Sequence, residues 1–149
     1  NKIENPEEED YIPLGKADIK KEGKDLTLVS FGKIMKLAIQ AAQDLEKEGI
    51  SVEVIDLRTV RPLDYDTVLA SVRKTNRLVI LEEAWPFASV ASEITYMVQQ
   101  KAFDYLDAPI KRITTPDAPA PYSAALFAEW FPKLDKVKEE IKKALYIKA

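Results

Sequence analysis

Short apolar runs alternate along the chain with segments whose apolar residues recur every three or four positions. LTLVS (26–30), SVEVIDL (51–57) and RLVILE (77–82) are short, apolar and rich in β-branched residues, as buried strands are. Each run is followed by a segment with helical spacing. This order of strand and helix, repeated three times, predicts parallel strands joined by right-handed crossovers.

The helical segments also carry signals for where they begin and end. Gly49 is placed to end the first helix, and Asp64 is placed to cap the second. A last helix is predicted from about Leu134, with its lysines forming a solvated face or, as the alternative, a basic docking patch. The apolar positions expected to face the core are Ile34, Leu37, Ala38, Ala41, Ala42, Leu45, Val68, Leu69, Val72, Val90, Ile94, Met97, Val98, Val137, Ile141, Ala144 and Leu145.

The rest of the chain predicts an edge strand and two connecting segments. IKRIT (110–114) is expected to add an edge strand, and the proline-rich TPDAPAPYS (115–123) is expected to be a loop. Residues 1–15 are acidic and weakly periodic, and they read as an extended lead-in to one domain over residues 16–149. The predicted fold is α/β, a three-layer, mostly parallel open sheet of about five strands with helices on both faces.

Composition excludes most kinds of active site from this chain. Its 149 residues contain no cysteine and no histidine, so thiolate nucleophiles, imidazole bases, disulfides and metal sites with nitrogen or sulfur ligands are ruled out. The four glycines are far apart, so a phosphate-binding glycine loop cannot form. With a net charge of −3 and no long apolar run, we expect no nucleic-acid partner and no membrane partner.

Two adjacent carboxylates, Glu82 and Glu83, stand at the end of the third predicted strand. Successive side chains on a strand point to opposite faces, so the pair does not form an acid/base dyad if the strand continues through it. We expect both carboxylates to be solvated or ion-paired. Glu93 falls on the first turn of the next helix, where a simple capping interaction is expected.

Asp56 and Arg58 flank Leu57 at the end of the second strand. The two-residue period of a strand places their side chains on the same side. A local ion pair that holds the turn from Arg58 to Pro62 is the first interpretation. An arginine that binds a ligand carboxylate is the alternative.

Several motifs together resemble one family. GKDLTLVSFG, VEVIDLRTVRPLD, KTNRLVILEEAWP, ASEI, FDYLDAPIKRIT and PAPYS occur in the order and at about the spacing of the C-terminal domain of the transketolase superfamily. The chain is most similar to the beta subunits of the thiamine-diphosphate-dependent component of 2-oxo acid dehydrogenase complexes. The segments EEAWP and DAPAPY resemble those of the pyruvate enzymes. Acetoin and branched-chain 2-oxo acids are the alternative substrates. The matching motifs give Asp56, Arg58, Pro62, Glu83 and Glu93 structural roles.

The resemblance implies an enzyme whose catalytic groups lie outside this chain. Such an enzyme decarboxylates a 2-oxo acid with thiamine diphosphate and Mg²⁺ and then acylates a lipoyl group. The chain itself is expected to hold neither cofactor and to be inactive alone, because a separate N-terminal pyrimidine-binding domain and the alpha subunit would supply the cofactor site. The implied partners are the alpha subunit, a second beta subunit and the subunit-binding domain of the acyltransferase, in the bacterial cytoplasm or the mitochondrial matrix.

An assembly role follows for the aromatic residues. Trp85, with Pro86 and Phe87, is expected to anchor an interface, and the alternative is a tryptophan in the core of the domain. AALFAEWFP (124–132) is expected to be partly exposed where partner chains would cover it. Its interface candidates are Phe127, Trp130 and Phe131. A free-standing, flavodoxin-like module that binds a small anion near Arg58 and Thr59 is the alternative function, and a bland globular domain is a third.

Overall fold

In the computed structural model, which describes residues 12–147, the chain folds into a five-stranded sheet with helices on both faces. A 3-10 turn (Gly32–Ile34) leads into the first helix, and another (Phe103–Tyr105) follows the third. The elements in chain order are β1 (Asp18–Lys21), β2 (Leu26–Ser30), α1 (Met35–Lys47), β3 (Val52–Asp56), α2 (Tyr65–Thr75), β4 (Leu78–Leu81), α3 (Val90–Ala102), β5 (Lys111–Ile113), α4 (Ala124–Trp130) and α5 (Leu134–Ala144).

The strand order is β1-β3-β2-β4-β5, and only β1 runs antiparallel to its neighbour. β2 is central, with Leu28 opposite Val54 on one side and opposite Val79 on the other. β5 pairs with β4 and forms the edge, as IKRIT predicts. Because β2, β3, β4 and β5 are parallel, their carboxyl ends meet at one rim of the sheet.

Two hydrophobic cores lie on opposite faces of the sheet. One packs α1 and α5 against it, and includes Leu28, Leu45 and Ile141. The other packs α2 and α3 against it, and includes Ile80 and Ile94. The helices α1, α2, α3 and α5 each bury one stripe, so the periodic positions predicted for the core are buried or half-buried throughout.

The predicted helix signals are confirmed. The Asp64 carboxylate accepts a hydrogen bond of 3.2 Å from the backbone N–H of Thr67, which makes it the cap of α2. Gly49 has a φ of +83° just after α1, where a glycine is favoured because it lacks a Cβ. Asn76 ends α2 in the left-handed conformation, which asparagine tolerates better than most residues.

Two elements were not predicted from the sequence. β1 (DIKK) is polar because it is an edge strand that is only partly buried, so it lacks an apolar run. α4 is short and contains no fully buried residue, so its seven residues offer no clear helical stripe. The predicted lead-in lies, for residues 1–11, outside the described residues. Over the described part of the chain, no helix has the length and apolar character needed to cross a bilayer.

Candidate interface site

Glu82 and Glu83 lie in opposite environments where β4 ends. Glu82 is completely buried, and its Oε2 accepts a hydrogen bond of 3.2 Å from the backbone N–H of Ala91 at the start of α3. Its other carboxylate oxygen is buried without a partner among the described residues. Glu83 is exposed. The two carboxylates therefore do not form a dyad, but the expectation that both are solvated or ion-paired is wrong for Glu82, which caps a helix instead.

Glu93 makes a different contact from the capping interaction expected of it. It lies in the first turn of α3, and its Oε1 accepts a hydrogen bond of 3.0 Å from the Tyr65 hydroxyl. Burial and the neighbouring Glu93 carboxylate both raise the pKa of Tyr65. Glu93 thus joins the start of α2 to the start of α3, while the hydrogen bond to the N-terminal turn of α3 comes from Glu82.

An aromatic surface forms where the loop after β4 meets the segment 115–131. The indole N–H groups of Trp85 and Trp130 both donate to the carbonyl oxygen of Ala118, at 3.1 and 3.0 Å. The Phe127 ring lies 5.6 Å from the Trp130 ring, measured between centroids, and 5.7 Å from the Phe131 ring. Two segments far apart in sequence are joined through one backbone acceptor.

Much of this aromatic surface is open to solvent. Trp85 is 51% exposed and Phe87 is 83% exposed, so Trp85 is not a core residue. Leu126 and Tyr122 are also exposed, and Pro86, Phe127 and Trp130 are half-buried. Phe131 packs against the core of α1 and α5. The name aromatic surface is used below for the residues Trp85, Phe87, Tyr122, Leu126, Phe127 and Trp130.

The local ion pair predicted between Asp56 and Arg58 is present in the turn after β3. The Arg58 guanidinium lies 3.9 Å from the Asp56 carboxylate, which also accepts a hydrogen bond of 3.1 Å from the Arg58 N–H. The Thr59 hydroxyl donates to the Pro62 carbonyl at 2.8 Å and accepts from the Gly15 N–H at 3.1 Å. The Arg61–Pro62 peptide bond is cis. Asp56, Arg58 and Pro62 therefore belong to one local structure.

A second buried carboxylate, Glu53, was missed in the sequence analysis. It is the second residue of β3 and has no exposed surface, and it is ion-paired with Lys74 of α2, which also lies 3.0 Å from Glu22. Gly23 donates its N–H to the Glu53 carboxylate at 3.3 Å, and a Cβ at position 23 would lie 2.1 Å from the Glu53 nitrogen. A charged residue inside the apolar run VEVID was the available signal.

The hydrogen bonds around this pair determine how it titrates. Burial raises the pKa of Glu53, but hydrogen bonds from Lys74, Ser71 and the Gly23 N–H together bring the pKa below its ordinary value. The hydrogen bond to Glu53 is the largest cause that raises the pKa of Lys74. Both groups are therefore held in their charged forms.

Comparison with known proteins places the chain in a family. The model of the transketolase C-terminal domain matches residues 15–137. The chain belongs to this family. The transketolase C-terminal domain predicted from the motifs is thus confirmed, as is the predicted α/β fold with a mostly parallel sheet of five strands.

Curated relatives match nearly the whole of this transketolase C-terminal domain. The chain is 51% identical over 145 residues to the pyruvate dehydrogenase E1 component subunit beta of Rhizobium meliloti, covering 97% of the chain and 32% of that protein. It is 50% identical over 136 residues to the beta subunit of the acetoin:2,6-dichlorophenolindophenol oxidoreductase of Bacillus subtilis, covering 91% of the chain and 40% of that protein. The chain thus spans well under half the length of these relatives.

A solved structure supports the same fold. The structure is described as a split gene transketolase, inactive beta4 tetramer, and it superposes with a TM-score of 0.75 at 27% identity, covering 93% of this chain and 44% of that one.

The described residues, 12–147, contain no group of three or more acidic side chains placed to hold a metal ion. The sequence also has no Gly-Asp-Gly motif and no histidine. These residues do not fit the diphosphate and Mg²⁺ of a thiamine cofactor.

Proposed function

We propose that this chain is the assembly domain of the beta subunit of a 2-oxo acid dehydrogenase component that uses thiamine diphosphate. The observation that carries the proposal is the 51% identity, over 97% of the chain, to a pyruvate dehydrogenase E1 beta subunit. Residues 16–149 would form the folded unit, with residues 1–15 as its lead-in. The domain contributes packing surface, and the catalytic groups and cofactors of the enzyme come from other polypeptide.

The aromatic surface supports this role. Exposed tryptophan and phenylalanine side chains are the groups that most often anchor protein interfaces, because they bury a large area with little loss of side-chain freedom. Here they lie together at one rim of the sheet, fixed by the shared hydrogen bonds to Ala118. The proposed partners are the alpha subunit and a second beta subunit, and the subunit-binding domain of the acyltransferase is proposed as a further partner.

Pyruvate is the proposed substrate of the whole enzyme. Seven curated relatives that are 47% to 51% identical to the chain are pyruvate dehydrogenase E1 beta subunits. Acetoin is the second candidate, since the Bacillus subtilis acetoin enzyme subunit is 50% identical. Because bacterial and mitochondrial proteins are both among the relatives, the proposed location is the bacterial cytoplasm or the mitochondrial matrix.

Analytical ultracentrifugation of the chain with purified alpha subunits tests the proposal. We expect the chain to sediment with a pyruvate-type alpha subunit and to bind an acetoin-type alpha subunit more weakly. The double variant F87S/L126S should lose this association, because it removes two exposed anchors of the aromatic surface. Tyr96→Ser is the matched control, since Tyr96 is 59% exposed on α3 outside that surface.

Two results would contradict the assembly role. One is a chain that stays monomeric with every alpha subunit tested. The other is turnover of pyruvate by the purified chain alone, because the proposal places no catalytic group in it. Equal binding to both kinds of alpha subunit would instead remove the preference for pyruvate and leave the assembly role standing.

The contacts within the turn after β3 speak against the alternative function, a module that binds a small anion. Thr59 and Arg58, the two groups that would bind the anion, already contact Pro62, Gly15 and Asp56. Calorimetric titration with phosphate, pyruvate and thiamine diphosphate separates the two functions. Tight binding of one of them to the chain alone would favour the anion-binding module.

A further inference from the structure

A concave region of about 340 Å³ opens within the aromatic surface. Three aromatic side chains line it, Trp85, Phe87 and Trp130, together with small residues of the loop after β4. Glu83 is the one charged side chain in this lining. The region lined by Trp85, Phe87, Trp130 and Glu83 is called the tryptophan pocket below.

The two indoles of the tryptophan pocket are held in place before anything binds. Each uses its only hydrogen-bond donor on the carbonyl oxygen of Ala118. Their N–H groups are therefore unavailable to a ligand, and the indole rings offer it only apolar and π surface. Trp130 is further fixed by its contact with Phe127, at 5.6 Å between ring centroids.

The charge in the pocket has no counterpart among the described residues. Glu83 is exposed and makes no ion pair or side-chain hydrogen bond within residues 12–147. The guanidinium of Arg112 lies near the same loop, but it donates to the Pro86 carbonyl at 3.0 Å and to the Ser92 hydroxyl at 2.7 Å. An unpaired carboxylate beside aromatic side chains is complementary to a cation.

We propose that the tryptophan pocket binds an arginine side chain of a partner subunit. A guanidinium is planar and weakly hydrated, so it can stack on an indole while its N–H groups donate to a carboxylate, which an ammonium group cannot do as well. A cation already lies over a neighbouring ring outside the pocket, since the Lys33 ammonium is 5.9 Å from the ring centroid of Phe127, which packs against Trp130. The inference rests on the proposed assembly function and adds the chemistry of the contact.

Intrinsic fluorescence tests this pocket directly, because Trp85 and Trp130 are the only two tryptophans of the chain. The probe is N-acetyl-arginine amide, titrated into the full chain with excitation selective for tryptophan. N-acetyl-citrulline amide is the neutral control of nearly the same shape. We expect a saturable change in emission with the arginine compound, with a dissociation constant in the range of about 1 to 10 mM, and none with the citrulline compound.

Variants separate the charge from the rings. Glu83→Gln should weaken binding of the arginine compound by roughly threefold to tenfold, because the charge-assisted hydrogen bonds are lost. Glu139→Gln is the matched control, since it removes the same charge on α5, away from the pocket, and should leave binding unchanged. Trp85→Phe should weaken binding as well, because phenylalanine is a poorer partner for a cation than tryptophan.

A second measurement does not depend on emission intensity. In a ¹H–¹⁵N correlation spectrum the two indole N–H signals should both shift as the arginine compound is added. No saturable change in either measurement, or equal changes with the citrulline compound, would overturn the inference. Stronger binding of N-acetyl-lysine amide would overturn the choice of arginine. Because no partner subunit is present, these results are independent of whether the chain assembles with an alpha subunit.

Discussion

Two glutamates, Glu53 in β3 and Glu82 just after β4, are both completely buried, yet the fold stabilises them by different means. Glu53 is neutralised by an opposite charge, Lys74, and also accepts a hydrogen bond from a backbone amide. Glu82 has no ion pair within the described residues and accepts from the backbone N–H of Ala91 at the start of a helix. A full opposite charge compensates for lost hydration more completely than a helix N-terminus does.

The comparison also explains which side chain depends on which. Removing Lys74 would leave the Glu53 carboxylate buried in β3 without its cation. Removing the charge of Glu82 would leave the start of α3 with a neutral and therefore weaker acceptor. The first change strands a charge, whereas the second weakens a cap, so the first should cost more free energy.

The largest effect is expected from Lys74→Met. Loss of the ammonium leaves Glu53 unpaired, and because the Lys74 side chain is 44% exposed we expect a loss of about 2 kcal/mol of unfolding free energy, below the usual range for fully buried pairs. Urea denaturation followed by tryptophan fluorescence measures it. The double variant E53Q/K74M should recover most of the loss. Lys143→Met is the control, because Lys143 is an exposed lysine with acidic partners on α5. An equal loss of unfolding free energy in this variant would contradict the prediction.

A smaller effect is expected from Glu82→Gln. The amide oxygen can still accept from Ala91, but the negative charge next to the N-terminus of α3 is lost, so we expect a decrease of about 1 kcal/mol in unfolding free energy. Hydrogen exchange gives a local check, because the Ala91 amide should exchange faster while amides of α5 should not. Unchanged exchange at Ala91 would show that the negative charge of Glu82 does not stabilise the start of α3.

The contribution of the Glu53–Lys74 ion pair to stability should also depend on pH. The pKa of Glu53 is lowered from its ordinary 4.5 in the folded state, so the stability that it contributes is complete above about pH 4.5 and is lost as the pH falls through the lower folded value. The pKa of Lys74 is raised above its ordinary 10.5, so its contribution is complete below that value and is lost as the pH rises through the higher folded value.

Unfolding free energies measured across this pH range check the prediction. As the pH falls, the unfolding free energy of the wild-type chain should decrease more steeply than that of the E53Q/K74M double variant. The extra loss of unfolding free energy in the wild type should be smaller than the losses expected for Lys74→Met and Glu82→Gln. Identical acid slopes in the two proteins would show that the Glu53 pKa is not lowered by folding.

The smallest effect is expected from Glu83→Gln. Glu83 is exposed and contacts no ionic partner in the described part of the chain, so unfolding free energy should stay within about 0.5 kcal/mol of the wild type. Urea denaturation beside Glu82→Gln compares two adjacent carboxylates directly. A larger loss of unfolding free energy for Glu83→Gln than for Glu82→Gln would contradict this prediction, because Glu82 is the buried residue of the two.

Sequence periodicity predicts the parts of this fold whose signals are local. The apolar runs of β2, β3 and β4 and the stripes of α1, α2 and α3 can be read from the chain because burial of one face imposes a period. The same applies to Asp64, whose capping partner Thr67 is three residues away. The family motifs extend this reading to the interface candidates, which stay predictions.

Contacts across the fold could not be predicted in the same way. The bond between Glu82 and Ala91 depends on the path of the loop after β4, and the pairing of Glu53 with Lys74 depends on how α2 packs on the sheet. Trp85 and Trp130 are 45 positions apart, and no local pattern indicates that they share an acceptor. β1 is missed because pairing with β3, rather than its own sequence, makes it a strand.

In the part of the chain that the structure describes, β1 and β5 are the two edge strands of the sheet, and neither is a good template for another strand. Both are short, β1 has an irregular register between Ile19 and Lys21, and lysine or arginine side chains occur in each. Charged, brief or distorted edges discourage the backbone of one molecule from adding to that of the next. The domain therefore exposes an aromatic surface while the edges of its sheet discourage strand-to-strand association with other molecules.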